Sequence, residues 1–205
     1  RADRVLGERG LQVSAILFAM AWLVPGWLTA PMAFAAVMVA VGLGSGLLDV
    51  LMNARVSELE AAHGRSLMNA NHAIFSVAYA VAALITGAAR EGGITPPFVF
   101  AGFALAVMAI LPVLRMSTAP VDPPEVAGRY PLAPILLCGA VVLVAFMSEA
   151  TVEGWSALHI ERTLRGGAAE GALGPAMLGL TMAAGRFSGQ AVAERLPEVT
   201  VIWVA

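Results

Sequence analysis

The chain reads as long apolar runs separated by short polar punctuation. The runs fall at about 11–28, 32–54, 68–89, 97–114, 132–152 and 172–192, and a seventh begins near 199. Each is near the roughly 20 residues a helix needs to cross a hydrocarbon core of about 30 Å. A soluble helix shows one apolar stripe against a polar back, whereas these runs are apolar all round. The pattern predicts an all-α fold, a polytopic membrane helix bundle. Turn formers separate the runs: Pro25-Gly26, Thr29-Ala30-Pro31, Glu91-Gly92-Gly93 and Pro96-Pro97. The connection from Ser117 to Pro131 is longer and carries Pro120, Asp122, Pro123 and Pro124. It reads as a linker between 1–116 and 132–205, with four runs before it and two, plus the start of a third, after it.

Composition agrees with a membrane location. Hydrophobic residues make up 59% of the 205 positions and charged residues only 13%, against about a quarter charged in a soluble domain. The single cysteine, Cys138, lies inside an apolar run, so neither a disulfide framework nor a metal site is implied. There is no lysine, and twelve arginines carry the positive charge; we read this as the codon bias of a GC-rich bacterium. The chain has no initiator methionine and no signal peptide, and it reads as an internal fragment of a longer polypeptide.

Arginine placement orients the bundle. Arg1, Arg4, Arg9, Arg55, Arg65, Arg115, Arg129, Arg186 and Arg195 fall on one side, and Arg90, Arg162 and Arg165 on the other. The richer side is cytoplasmic by the positive-inside rule. Ala2-Asp3-Arg4 recurs in kind as Ala193-Glu194-Arg195, with a further apolar run after each copy. Six runs lie between them, so both loops are expected on the same face. This spacing describes two halves of a repeated bundle and points to a transporter.

Polar groups within the runs are the candidate chemistry. Asp49 sits in Leu47-Leu48-Asp49-Val50-Leu51-Met52-Asn53, with Asn53 one turn on along the same face. An acid at a helix centre costs about 2.5–3.5 kcal/mol on insertion scales and normally has a task, such as taking up and releasing a proton. The plainer reading is an acid near the cytoplasmic end, solvated or paired with Arg55. Glu149 and Glu153 share a face late in the fifth run, where two like charges repel. Glu149 is expected to face a cavity, and Glu153, beside Trp155, to lie at the outer rim; interfacial solvation is the alternative for both. Asn69, Asn71 and His72 lead into Phe75-Ser76, either as a substrate or proton contact or as a polar helix start. The small residues Gly42-Leu43-Gly44-Ser45-Gly46 and Gly179 to Gly185 are expected to let helix backbones approach closely.

At these residues the chain resembles the major facilitator superfamily, and within it the fucose-permease-like branch. Asp3-Arg4 with Gly7 and Arg9 is similar to the end of the family's cytoplasmic loop between helices 2 and 3. Gly42, Gly44, Gly46, Asp49 and Asn53 resemble its helix 4, His72 with Phe75-Ser76 the start of helix 5, and Glu149 with Trp155-Ser156 the end of helix 7. Gly185-Arg186 and Gly189 match the loop between helices 8 and 9, while Glu8, Ala78, Gly154 and Gln190 depart from the pattern.

The resemblance implies helices 3 to 8 and the start of helix 9 of a twelve-helix, two-half carrier. It implies a secondary, proton-coupled transporter of a sugar-like or other small polar solute, working by alternating access. Asp49 and Glu149 are then the proton-coupling candidates. Asn53, His72, Phe75 and Trp155 are the substrate-cavity candidates, and Asp3, Arg4, Arg186, Glu194 and Arg195 the cytoplasmic gating candidates. No catalytic residue, cofactor, metal or nucleic-acid partner is expected. The expected partners are the lipid bilayer, the solute, protons and the missing helices of the same polypeptide. The full-length protein is expected to be monomeric and multi-pass in a bacterial cytoplasmic (inner) membrane. Other readings are a drug or metabolite efflux carrier of the same fold, a non-transporting membrane sensor, and an intramembrane enzyme built on Ser45 and His72.

Overall fold

A computed structural model describes residues 10–114, 131–193 and 200. Asp3, Arg4, Glu194, Arg195 and nearly all of the expected linker lie outside the described residues. Among the described residues the fold is all-α: α1 (Gly10–Trp22), α2 (Pro31–His63), α3 (Met68–Glu91), α4 (Pro96–Ile110), α5 (Leu132–Arg162), the short α6 (Ala168–Gly171) and α7 (Leu173–Ala193). Single 3₁₀ turns at Pro25–Trp27 and Leu111–Leu114 extend α1 and α4. Prolines explain several boundaries. Pro31 and Pro96 open helices where a missing N–H costs nothing, and Pro112 accompanies the tightening of α4 into a 3₁₀ turn.

Two helices run past their apolar stretches. The apolar pattern of the second run ends near 54, yet α2 continues through Arg55 to His63, 33 residues in all. That is about 50 Å of helix, longer than a hydrocarbon core. The extension is rich in alanine, glutamate and leucine, which favour helix whether or not lipid surrounds them. Arg55 and Glu58 pair across it at 2.6 Å. Gly64 ends the helix in the left-handed region at φ 63°, its amide bonded to the Glu60 carbonyl at 2.8 Å. In the same way α5 carries helix beyond 152 to Arg162, so Trp155 lies on a helix.

Among the described residues five helices are long and apolar enough to cross a membrane: Gly10–Trp27, Pro31–His63, Met68–Glu91, Pro96–Leu114 and Leu132–Arg162. The fold is a polytopic helical membrane bundle. The sixth expected run does form a helix, the 21-residue α7, but it is not apolar enough to stand among the five. Arg186, Thr181 and Ser188 dilute its apolar character.

The helices form two compact units, the first holding 10–71 and 93–114 and the second 72–92, 131–193 and 200. The division falls inside α3. In the first unit α1 packs against α2 and α4. Trp22 stands edge-on to Phe18 at 6.2 Å and tilted against Phe100 at 5.2 Å. Phe18 in turn lies against Gly44, where an added Cβ would meet its Cα at 3.7 Å. Gly42 and Gly46 face open space, so one glycine of the expected stripe serves a close helix contact. Gln12 Nε2 donates to the Leu111 carbonyl at 3.1 Å and satisfies one of the free acceptors at the end of α4.

In the second unit α3 and α7 run antiparallel along a seam of small residues. Gly87 abuts Ala172 near one end, and Gly179 abuts Ser76, Tyr79 and Ala80 further along. Arg186 reaches His72 and Ser76 at the other end. Ala73, Ser76, Ala80 and Gly87 are buried on α3, as are Ala176 and Ala183 on α7 and Ala172 just before it. These positions repeat at three and four residues, so each set lies on one helix face. Here the expected glycine stripe of the sixth run succeeds at Gly179 and not at Gly185, which faces open space among the described residues. By contrast, positions 132–148 of α5 are exposed on every side.

Candidate functional site

The first unit contributes Asp49 and Asn53, on one face of α2. Asp49 is exposed, and among the described residues it has no hydrogen-bond or ion-pair partner. Asn53 is half-buried, and its Oδ1 is sequestered without a hydrogen-bond partner among the described residues. Nδ2 of Asn71, near the start of α3, is likewise sequestered and unpartnered. Buried polar atoms are nearly always satisfied. An orphaned acceptor and an orphaned donor in one unit are therefore groups able to receive a polar ligand or a water.

The turn that delivers Asn71 is built by Glu60. Its carboxylate accepts from the amides of Leu67 and Met68 at 2.6 and 2.7 Å, the first free donors of α3. A charged acceptor at a helix start also complements the positive end of the helix dipole.

The second unit brings together more of the expected residues. His72 is half-buried and Phe75 is 53% exposed, one turn apart on α3. Ser76 is buried, and its hydroxyl donates to the His72 carbonyl at 2.9 Å while accepting from Arg186 Nη1. The same guanidinium nitrogen donates to the His72 carbonyl at 3.1 Å. The part of His72 engaged here is its main chain.

Glu149 and Glu153 are both half-buried on one face of α5, and Tyr79 of α3 lies within electrostatic reach of each. Two carboxylates a turn apart repel when both are ionised. One proton or one cation between them would relieve that repulsion. Trp155 is 64% exposed. Ser156, on the same α5 face as the acids, has a sequestered, unpartnered hydroxyl pressed against Gly174.

Sequence reasoning passed over three functional groups. Tyr79 was signalled by its place three and seven residues after Ser76 and His72, the helical spacing of a shared face. Glu60 gave the weaker signal of an acid shortly before a helix start. The third, the ion pair of Arg90 and Glu161, bonds through two contacts of 2.6 and 2.9 Å between residues 71 apart, a separation that no local pattern encodes. Among the described residues no group of three or more His, Cys, Asp or Glu could hold a metal ion.

Comparison with known proteins bears on the architecture. An uncharacterized MFS-type transporter of Yersinia pestis is 29% identical to the chain over 178 residues, which is 84% of the chain and 46% of that protein. The likeness is to a transporter. It favours the major facilitator superfamily and says nothing of the fucose-permease-like branch within it. The chain spans about half the length of this curated relative. No protein-family model matches the chain, and no solved structure matches it significantly.

Proposed function

We propose that the chain is the central part of a secondary transporter of the major facilitator superfamily. The observation that carries this reading is the likeness of 84% of the chain to an MFS-type transporter, on a bundle of membrane-length helices. In the proposed arrangement, residues 1–116 belong to the first half of the carrier and 132–205 to the second, joined by a cytoplasmic linker at 117–131. The two halves rock about a midplane site. The full-length protein works as a monomer in a bacterial inner membrane, with its remaining helices completing the cavity.

Within this reading Asp49 and Glu149 are the proton-coupling acids. Asp49 has no hydrogen-bond or ion-pair partner among the described residues, and Glu149 shares a face with Glu153 and lies within electrostatic reach of Tyr79. The solute is small and polar, a sugar or a molecule like one. Asn53 offers an unpaired acceptor to a hydroxyl, and the exposed rings of Phe75 and Trp155 offer flat apolar faces to a sugar ring. The fucose-permease-like assignment rests on the sequence motifs alone.

The test is solute-driven proton influx into vesicles carrying the full-length protein. Influx should accompany a sugar-like substrate and disappear in Asp49→Asn. Unchanged pH dependence in Asp49→Asn rejects the coupling role. Export of apolar compounds, with no uptake of polar solutes, rejects the substrate class.

A further inference from the structure

The end of the first unit away from Arg55 and Arg65 carries no charge. Residues 10–48 and 93–114 hold no Asp, Glu, Lys or Arg, so the turn at 23–30 and the start of α4 have no charged side chain to mark the water boundary. What stands there is aromatic. Trp27 closes one membrane-length span and Phe98 lies at the start of another. Their rings meet edge-on at 6.5 Å. Trp27 is 68% and Phe98 65% exposed, and the Trp27 indole N–H has no acceptor among the described residues.

The backbone under both rings is fixed. An added Cβ at Gly26 would sit 2.9 Å from the Pro97 N and Cα, so glycine lets the turn lie directly on the start of α4. The Trp27 amide donates to the Val24 carbonyl at 3.1 Å, and the Phe98 amide to the Thr95 carbonyl at 3.1 Å. A fixed backbone thus presents two large rings outward, beside the uncharged, exposed Thr29 and Thr95. A charged partner would find nothing to pair with here. A phospholipid leaflet fits: an indole buries its apolar body among acyl chains and offers its N–H to the ester carbonyls above them.

We propose that the Trp27–Phe98 pair anchors the first unit at the ester level of the outer leaflet and thereby sets the depth of α2. The proposal rests on the membrane fold and not on the transporter reading. At 33 residues α2 outruns the hydrocarbon core, so its hydropathy alone leaves its depth open. Measured from Pro31, next to the anchor, Leu43 lies about 18 Å and Val50 about 29 Å along the axis. In a core of about 30 Å, Leu43 is then near mid-depth and Val50 near the inner boundary. Asp49, beside Val50, reaches cytoplasmic water and exchanges protons there.

The test is fluorescence of the full-length protein in phosphatidylcholine vesicles brominated near the ester end or near the methyl end of the acyl chains. The quenching owed to one tryptophan is the difference between parent and variant. Trp27→Phe keeps a ring in the pair, and Leu43 and Val50 are 71% and 65% exposed, so the variants leave the packing intact. The emission lost in Trp27→Phe should be quenched about twofold more by ester-end than by methyl-end bromines. Leu43→Trp should show the reverse preference, and Val50→Trp should favour the ester end again. Trp27 emission quenched by aqueous iodide and by neither lipid overturns the anchor, as does emission that no quencher reaches or that methyl-end bromines quench more. Methyl-end preference in Val50→Trp with ester-end preference in Leu43→Trp overturns the depth assigned to α2.

Discussion

Arg186 of α7 donates a hydrogen bond to the main-chain carbonyl of His72 on α3, at 3.1 Å. An arginine in a membrane helix is costly unless a partner receives it, and this one is received by another helix's backbone and by the Ser76 hydroxyl. The contact explains why α7 tolerates a charge that keeps it below the apolarity of the other five helices. In the antiparallel packing of α7 along α3 this polar group is turned toward the protein.

Removing that donor should destabilise the second unit. Arg186→Gln is expected to cost about 1.5–3 kcal/mol, the usual worth of hydrogen bonds from a charged group, and Arg186→Lys less. Denaturant unfolding of the full-length protein in detergent measures this. A midpoint unchanged in Arg186→Gln removes the guanidinium from any structural role.

The glycines should divide by what they face. Gly87→Ala forces a methyl against Ala172 and should cost about 1–3 kcal/mol, as overpacking generally does. Gly46→Ala meets open space and should be neutral or slightly stabilising, since alanine favours helix over glycine. Thermal unfolding of the two variants side by side decides it; equal effects would contradict the seam.

Glu60 should matter at the start of α3. Glu60→Ala strips the acceptor from the Leu67 and Met68 amides, so their hydrogen exchange should accelerate. Glu60→Gln keeps a neutral acceptor and should fall between. Exchange rates at these two amides that do not move in Glu60→Ala would show that water caps the helix equally well.

The acids of α5 should separate by role. If Glu149 carries the proton, Glu149→Gln abolishes solute-driven proton influx, while Glu153→Gln retains it and relieves like-charge repulsion along the helix. Tyr79→Phe removes the hydroxyl within electrostatic reach of both and should alter the pH profile of influx more than its maximal rate. The reverse order, with Glu153→Gln abolishing influx, moves the coupling role one turn along α5.

Much of the bundle was legible because membrane crossing is a local property. About twenty apolar residues in a row declare a span wherever their partners lie, and prolines declare several of its ends. The extensions of α2 and α5 were missed because hydropathy reports where lipid ends, whereas a helix stops only where backbone chemistry makes it stop, as at Gly64. The glycine stripes were read as one class, and the fold divides them. Gly44 and Gly179 meet a neighbour; Gly42, Gly46 and Gly185 do not.

By itself the sequence determined most of the helices and the shared faces along each of them, because these follow from composition and a fixed period of 3.6 residues. Tertiary structure alone decided which face met which. It set Arg186 on the carbonyl of His72, Tyr79 within electrostatic reach of Glu149 and Glu153, and Arg90 on Glu161. Those pairings join residues 70 to 114 positions apart. Only the packing of α3 against α5, in parallel, and against α7, antiparallel, brings them within reach.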